Sequence, residues 1–106
     1  MDIQLKQKDF KEAVENNKAI LIDFYAEWCG PCKTLSPTII KLAEEFEGDV
    51  LIKKVNVDEN RELAQKFNVR SIPALVYIKD GEVVGRQNGL VSEQALRTQI
   101  NQLKTA

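Results

Sequence analysis

The stretch Ala19-Ile20-Leu21-Ile22-Asp23-Phe24-Tyr25-Ala26-Glu27-Trp28-Cys29-Gly30-Pro31-Cys32 joins an apolar run to the only two thiols of the chain, and its reading decides the fold. Ala19 to Tyr25 is apolar on both alternating faces except at Asp23, the pattern of a central strand covered on both sides. Beyond the thiols, Leu35, Ile39, Leu42, Ala43 and Phe46 form one apolar stripe and Gly48 is a stop signal, which predicts a helix from about the cysteines to Glu47. Pro37 lies inside it and should kink it, because proline lacks a backbone donor and crowds the preceding turn. The cysteines therefore fall at a strand-to-helix junction. Two intervening residues let both sulfurs share one turn, close enough to bond, and the junction aims the first thiol at solvent and at a helix N-terminus. The pair reads as a reversible dithiol/disulfide.

Working outward, Asp9 precedes Phe10, Ala13 and Val14 at helical spacing with Glu12 three residues on, so a capped first helix is expected from about Asp9 to Asn17. Val50 to Val57 reads as a second core strand. Strand, long helix and strand imply a parallel pair with a right-handed crossover. A shorter helix carrying Leu63, Ala64 and Phe67 on one face leads to Ile72 and Pro73. Ala74 to Lys79 and Glu82 to Gln87 flank Asp80-Gly81, a strong signal for a tight antiparallel hairpin. Ser92 should cap a last helix that turns Ala95, Leu96, Ile100 and Leu103 to the core.

The chain has 106 residues, room for one domain, and its 43% hydrophobic content supplies a core of ordinary size. Fifteen basic and sixteen acidic residues leave a net charge of -1, without a run of five like charges or a basic patch interleaved with aromatics. This argues against nucleic acid or an anionic membrane as the main partner. Met1 to Lys8 carries charges where a signal peptide needs its apolar stretch, and nothing later approaches transmembrane length, so the expected location is the cytoplasm. In a reducing compartment two lone cysteines are rarely a permanent staple. A closed zinc site wants four ligands, and two cysteines with no histidine exclude one within a single chain; a site shared by two chains stays open. The lack of histidine also removes a Cys/His hydrolase, since no imidazole exists to activate the nucleophile.

A cysteine at a helix N-terminus is stabilised as the thiolate by unpaired backbone donors and the helix dipole, which makes Cys29 the expected nucleophile. Attack on a substrate disulfide gives a mixed disulfide that Cys32, about a turn further on, resolves. Pro31 suits the first helical turn, and Gly30 leaves room for a partner backbone. Asp23, in so apolar a strand, should be desolvated with a raised pKa, suited to exchanging a proton with the resolving thiol; the alternatives are a solvated or merely tolerated aspartate. Lys54 on the neighbouring strand either reaches toward Asp23 and tempers that desolvation or is an exposed strand lysine. Trp28 is a lid beside the sulfurs or a core residue, and Pro73 could simply begin a strand.

With these residues assembled, the chain resembles the thioredoxin family. The resemblance runs through Asp23, Phe24, Ala26, Glu27, Trp28, Cys29, Gly30, Pro31, Cys32, Lys33 and Pro37, then Asn56, Val57 and Asp58, Ile72 and Pro73, Asp80, Gly81 and Glu82, and Gly89. It covers essentially the whole chain. It implies a single α/β thioredoxin domain over residues 1–106, a central mixed sheet flanked by helices on both faces in the order βαβαβαββα. It implies a cis peptide before Pro73 facing the disulfide, exposing the Ile72 backbone to a client strand and keeping metal from the thiols. Its client-binding residues would be Trp28, Gly30, Pro31, Ile72, Pro73 and Gly89. The implied activity is protein disulfide reduction by a monomer with no bound cofactor beyond the redox-active Cys29–Cys32 pair, re-reduced by an NADPH-dependent flavoprotein, thioredoxin reductase. The direction follows from Gly30 and Pro31, since oxidising and isomerising relatives usually carry a histidine between the cysteines. Tyr25 stands where many members carry a second tryptophan, and Asn88 where an apolar residue is common; both bear on the apolar character of the groove and on client choice. The rival reading is a docking module, or a subunit of a larger enzyme, whose surface around Trp28, Ile72 and Gly89 binds a partner with redox incidental.

Overall fold

Strand β1 (Ala19–Tyr25) is buried at every position and lies inside the sheet, as its doubly apolar pattern requires. The computed structural model describes residues 3–106; the Met1 and Asp2 part of the N-terminal reading lies outside the described residues. After a 3-10 turn at Gln7–Asp9 come α1 (Phe10–Asn16), β1, α2 (Gly30–Glu45), β2 (Leu51–Asn56), α3 (Arg61–Lys66), β3 (Ala74–Lys79), β4 (Glu82–Asn88) and α4 (Glu93–Thr105). The sheet order is β2-β1-β3-β4, with β1 parallel to β2 and antiparallel to β3, and β3 antiparallel to β4. Among the described residues, the leading strand of the expected order is represented by the parallel bridge between Gln4 and Lys54. Hydrogen bonds from Leu5 N to Lys54 O and from Lys54 N to Ile3 O hold it.

Alternation along β1 divides the core. Ile20, Ile22 and Phe24 face Phe10 of α1, Leu63 of α3 and Phe67, together with Val76 and Ile78 of β3. Ala19 and Leu21 face the other way, onto Leu35, Ile39 and Leu42 of α2 and Leu96 and Ile100 of α4. Ala95 is only half-buried, so the apolar face of α4 is narrower than its sequence suggests. Asp23 lies on the α2 side of β1, two residues from Leu21 and from Tyr25.

Asp80 and Gly81 both have positive φ, 51° and 83°, the geometry of a type I′ turn. In the hairpin, Tyr77 pairs with Gly85 and Ile78 with Val83, which leaves Val84 as a bulge on the edge strand β4. Helix α2 stops at Glu45, before the expected Glu47, because Phe46 already leaves helical geometry; Gly48, at φ 92°, shapes the turn that follows. The expected capping by Asp9 is also corrected: its backbone is αR and its side chain makes no cap bond, since the preceding 3-10 turn feeds directly into α1.

Ser92 does cap α4, its hydroxyl accepting from Ala95 N at 3.1 Å. Ser92→Ala should therefore cost about 1 kcal/mol in denaturant unfolding, while Asp9→Ala should leave the midpoint nearly unchanged. Equal losses from the two would contradict this assignment of caps.

Candidate functional site

The chain leaves β1 at Tyr25, crosses four residues and enters α2 at Gly30, with Cys29 as the N-cap residue. Cys29 has extended backbone, and its Sγ accepts the Cys32 N–H at 3.2 Å, filling the role a serine or aspartate oxygen plays at other helix starts. Pro31 sits in the first turn, where no intrahelical donor is needed. The cysteines are joined as a disulfide with their Cα atoms 5.3 Å apart. The expectation that Cys29 faces solvent is corrected in degree, for it is 5% exposed against 1% for Cys32, because Tyr25, Ala26 and Ile72 pack around the pair. Gly30 and Pro31 beside it are exposed.

The Ile72–Pro73 peptide is cis. The Ile72 carbonyl oxygen lies 3.9 Å from Cys29 Sγ, a contact and not a hydrogen bond, since a disulfide sulfur has no proton to donate. Pro73 O in turn accepts from Gly89 N at 2.9 Å, and Gly89 takes φ 80°, a left-handed conformation that suits glycine. The loops at residues 72–73 and 89 are thus tied together, and the first of them abuts the sulfurs.

Trp28 is 71% exposed, which rules out core packing, and its indole N–H donates to Asp58 Oδ2 at 2.9 Å. The Asn56 side chain accepts from Asp58 N and Glu59 N, shaping the turn that presents Asp58. Asp58 enters the sequence reading only among the residues that carry the resemblance, with no contact expected to Trp28, thirty residues away; an Asn-x-Asp after a strand was the available signal. A recess of about 400 Å³ lies between Trp28 and Ile72, walled by Val57, Ala64, Val69, Arg70 and Ser71.

Asp23 has no solvent exposure, and neither carboxylate oxygen has a hydrogen-bond partner among the described residues. Burial rules out a solvated carboxylate, and desolvation pushes its pKa up to about 6, with Lys54 pulling downward. Lys54 is 8% exposed, so the exposed-lysine alternative also fails. It is the register partner of Asp23 across β1 and β2, yet its Nζ donates to Ser36 Oγ at 2.6 Å and lies 4.2 Å from the centre of the Tyr25 ring. The expected approach of Lys54 to Asp23 is an influence of charge and not a bond. Ser36 was not anticipated as a partner. Among the described residues no cluster of three or more His, Cys, Asp or Glu is placed to hold a metal ion, and no helix is long and apolar enough to cross a membrane.

The sequence profile of the Thioredoxin family matches residues 2–102. The chain is 46% identical over 101 residues to a thioredoxin from Haemophilus influenzae, the match covering 94% of each chain. Among solved structures it is similar to a thioredoxin variant from Halobacterium salinarum, at TM-score 0.86 and 39% identity over 98% of this chain and 89% of that one. A second similar chain comes from a structure on the thiol resolving mechanism in yeast mitochondrial 1-Cys peroxiredoxin via glutathione/thioredoxin systems, at TM-score 0.85 and 34% identity over 96% of this chain and 95% of that one.

Proposed function

Since the chain belongs to the thioredoxin family and is a thiol-disulfide oxidoreductase working through Cys29–Cys32, we propose which residue does which part of its chemistry, and in which direction it runs. Cys29 attacks one sulfur of a client disulfide; a Cys29–client bond forms, and the other client sulfur leaves as thiolate. Cys32 gives its proton to the Asp23 carboxylate and attacks Cys29 Sγ, closing the disulfide and releasing the second client sulfur. Two electrons have passed to the client. The NADPH-dependent flavoprotein thioredoxin reductase returns them.

The observation that carries this reading is the Cys32 N–H held on Cys29 Sγ at the start of a sixteen-residue helix. A donor in that place stabilises a thiolate on Cys29, the nucleophile and the better leaving group. Gly30 supports a client groove for a separate reason: a Cβ there meets nothing within 4 Å and its φ is ordinary, so the fold does not demand glycine. Clearance for an approaching client backbone, in a groove also formed by Trp28, Pro31, Ile72, Pro73 and Gly89, accounts for it. We place the activity in the cytoplasm, with residues 1–106 acting as one domain and a monomer on protein clients; the near-neutral charge favours these over nucleic acid or membrane.

The test is a coupled assay in which NADPH and thioredoxin reductase drive reduction of a disulfide-bonded protein through this chain. Failure to sustain turnover would overturn the general-reductant reading. Direction is tested separately by Pro31→His. An imidazole beside the Cys29 thiolate should favour the dithiol and raise the reduction potential by roughly 30 mV or more, about tenfold in the equilibrium constant against glutathione. An unchanged or more negative potential would remove the argument from Gly30 and Pro31.

A further inference from the structure

The one buried lysine near Asp23 is not bonded to it. Asp23 and Lys54 face each other across adjacent parallel strands, and a carboxylate whose two oxygens have no partner among the described residues is the strongest partner a buried ammonium could find. The ammonium is engaged elsewhere, on Ser36 Oγ at 2.6 Å and over the Tyr25 ring at 4.2 Å. The ring is itself anchored. The Tyr25 hydroxyl donates to Gln4 Oε1 at 2.8 Å, and the Gln4 backbone bridges to Lys54, so the N-terminal segment, β1 and β2 close a ring of contacts around this side chain. Ser36 completes it from α2, one turn past Cys32.

We propose that Ser36 and Tyr25 are positioning residues, a clasp that keeps the Lys54 ammonium from pairing with Asp23 and so preserves the Asp23 carboxylate as a base for the Cys32 proton. This rests on Asp23 being the proton acceptor proposed above. A direct ion pair would stabilise the carboxylate and weaken it as a base. With Lys54 held aside, burial dominates and the pKa stays near 6. The other groups around Asp23 leave Lys54 as the decisive charge: its register partner on β3 is the apolar Leu75, and the sulfur of Cys32 on α2 does not titrate in the disulfide. Glu27 and Lys33 lie further out, on the wall of a solvent-open recess of about 520 Å³ that Tyr25, Cys32, Ser36 and Lys54 also line and Asp23 does not. The clasp residues thus border a recess open to solvent that also reaches Cys32.

Ser36→Ala is the direct test, read in the disulfide form by carbon NMR of the Asp23 carboxyl. Its titration midpoint should fall by about one pH unit as Lys54 swings onto Asp23. Ser36→Thr, which keeps the hydroxyl, should restore the wild-type midpoint, and Tyr25→Leu should move it in the same direction as Ser36→Ala. In a Lys54→Met background, serine and alanine at position 36 should titrate alike. A midpoint unmoved or raised by Ser36→Ala, or a difference that survives Lys54→Met, overturns the clasp. Single-turnover release of a client by Asp23→Asn decides the underlying reading by itself: release at the wild-type rate removes Asp23 from the reaction, whereas slowed release with an unmoved midpoint in Ser36→Ala removes only the clasp.

Discussion

Cys29→Ser should lose protein disulfide reduction by about a thousandfold or more, while Cys32→Ser should complete the first attack and then stall as a stable mixed disulfide with its client. The asymmetry follows from position. Cys29 Sγ receives the Cys32 N–H and Cys29 is the more exposed of the two residues, whereas Cys32 lies a turn inside the helix at 1% exposure. Without Cys32 the mixed disulfide has no internal thiolate to attack it, and resolution by an external thiol forfeits an effective concentration on the order of 10⁵ M or more. Non-reducing electrophoresis and mass spectrometry of the two variants with a disulfide-bonded client would show a covalent adduct for Cys32→Ser and little for Cys29→Ser. Alkylation of the reduced wild type at limiting reagent is the independent check, and preferential modification of Cys32 would reverse the roles. The variant with both cysteines replaced by serine separates redox work from docking, because partner binding that persisted with its full biological effect would favour the docking module.

Asp23→Asn should make the stability of the disulfide form much less dependent on pH. The carboxyl has a pKa of about 6 in the folded protein against an ordinary value of 3.8. Between those values the native state holds a proton that the unfolded chain has released, so stability falls as pH rises through this window and levels off above it. By linkage the wild type loses about 3 kcal/mol in full, and about 2 kcal/mol of that between pH 4.5 and pH 8. An asparagine has no proton to lose, so the gap between variant and wild type should widen by that amount over the same range. Denaturant melts at the two pH values give the answer, and a constant gap would mean that the Asp23 carboxylate is solvated. The same substitution should leave the first attack by Cys29 largely intact and slow client release, since the amide cannot accept the Cys32 proton.

What was legible in the sequence was local or periodic. The burial of β1, the Asp80-Gly81 turn and the Ser92 cap each follow from a short pattern that local structure obeys. Asp23 could be singled out because a lone charge within a doubly apolar strand has nowhere to go but the interior. Lateral contacts escaped. That Lys54 would choose Ser36 and Tyr25 over Asp23 depends on how α2 lies across β2, and that Trp28 would find Asp58 depends on a turn built by Asn56. Element ends were misread where a competing turn took over, as at Asp9, where a 3-10 turn occupies the place of the cap, and at Phe46, where the helix ends ahead of its glycine.

The strand order has a consequence during synthesis. The sheet's interior strand β1 leaves the ribosome early, and its β2 neighbour follows after one helix, but its other edge is completed only when Ala74–Lys79 arrives to pair with it. Until then the nascent chain carries a bare, strongly apolar strand edge beside Ile20, Ile22 and Phe24, the kind of template that recruits strands from other chains. Translation that pauses after α3 and before the hairpin therefore leaves this protein at its most adhesive, and a fragment ending there should collect in inclusion bodies although it contains both cysteines and the whole of α2.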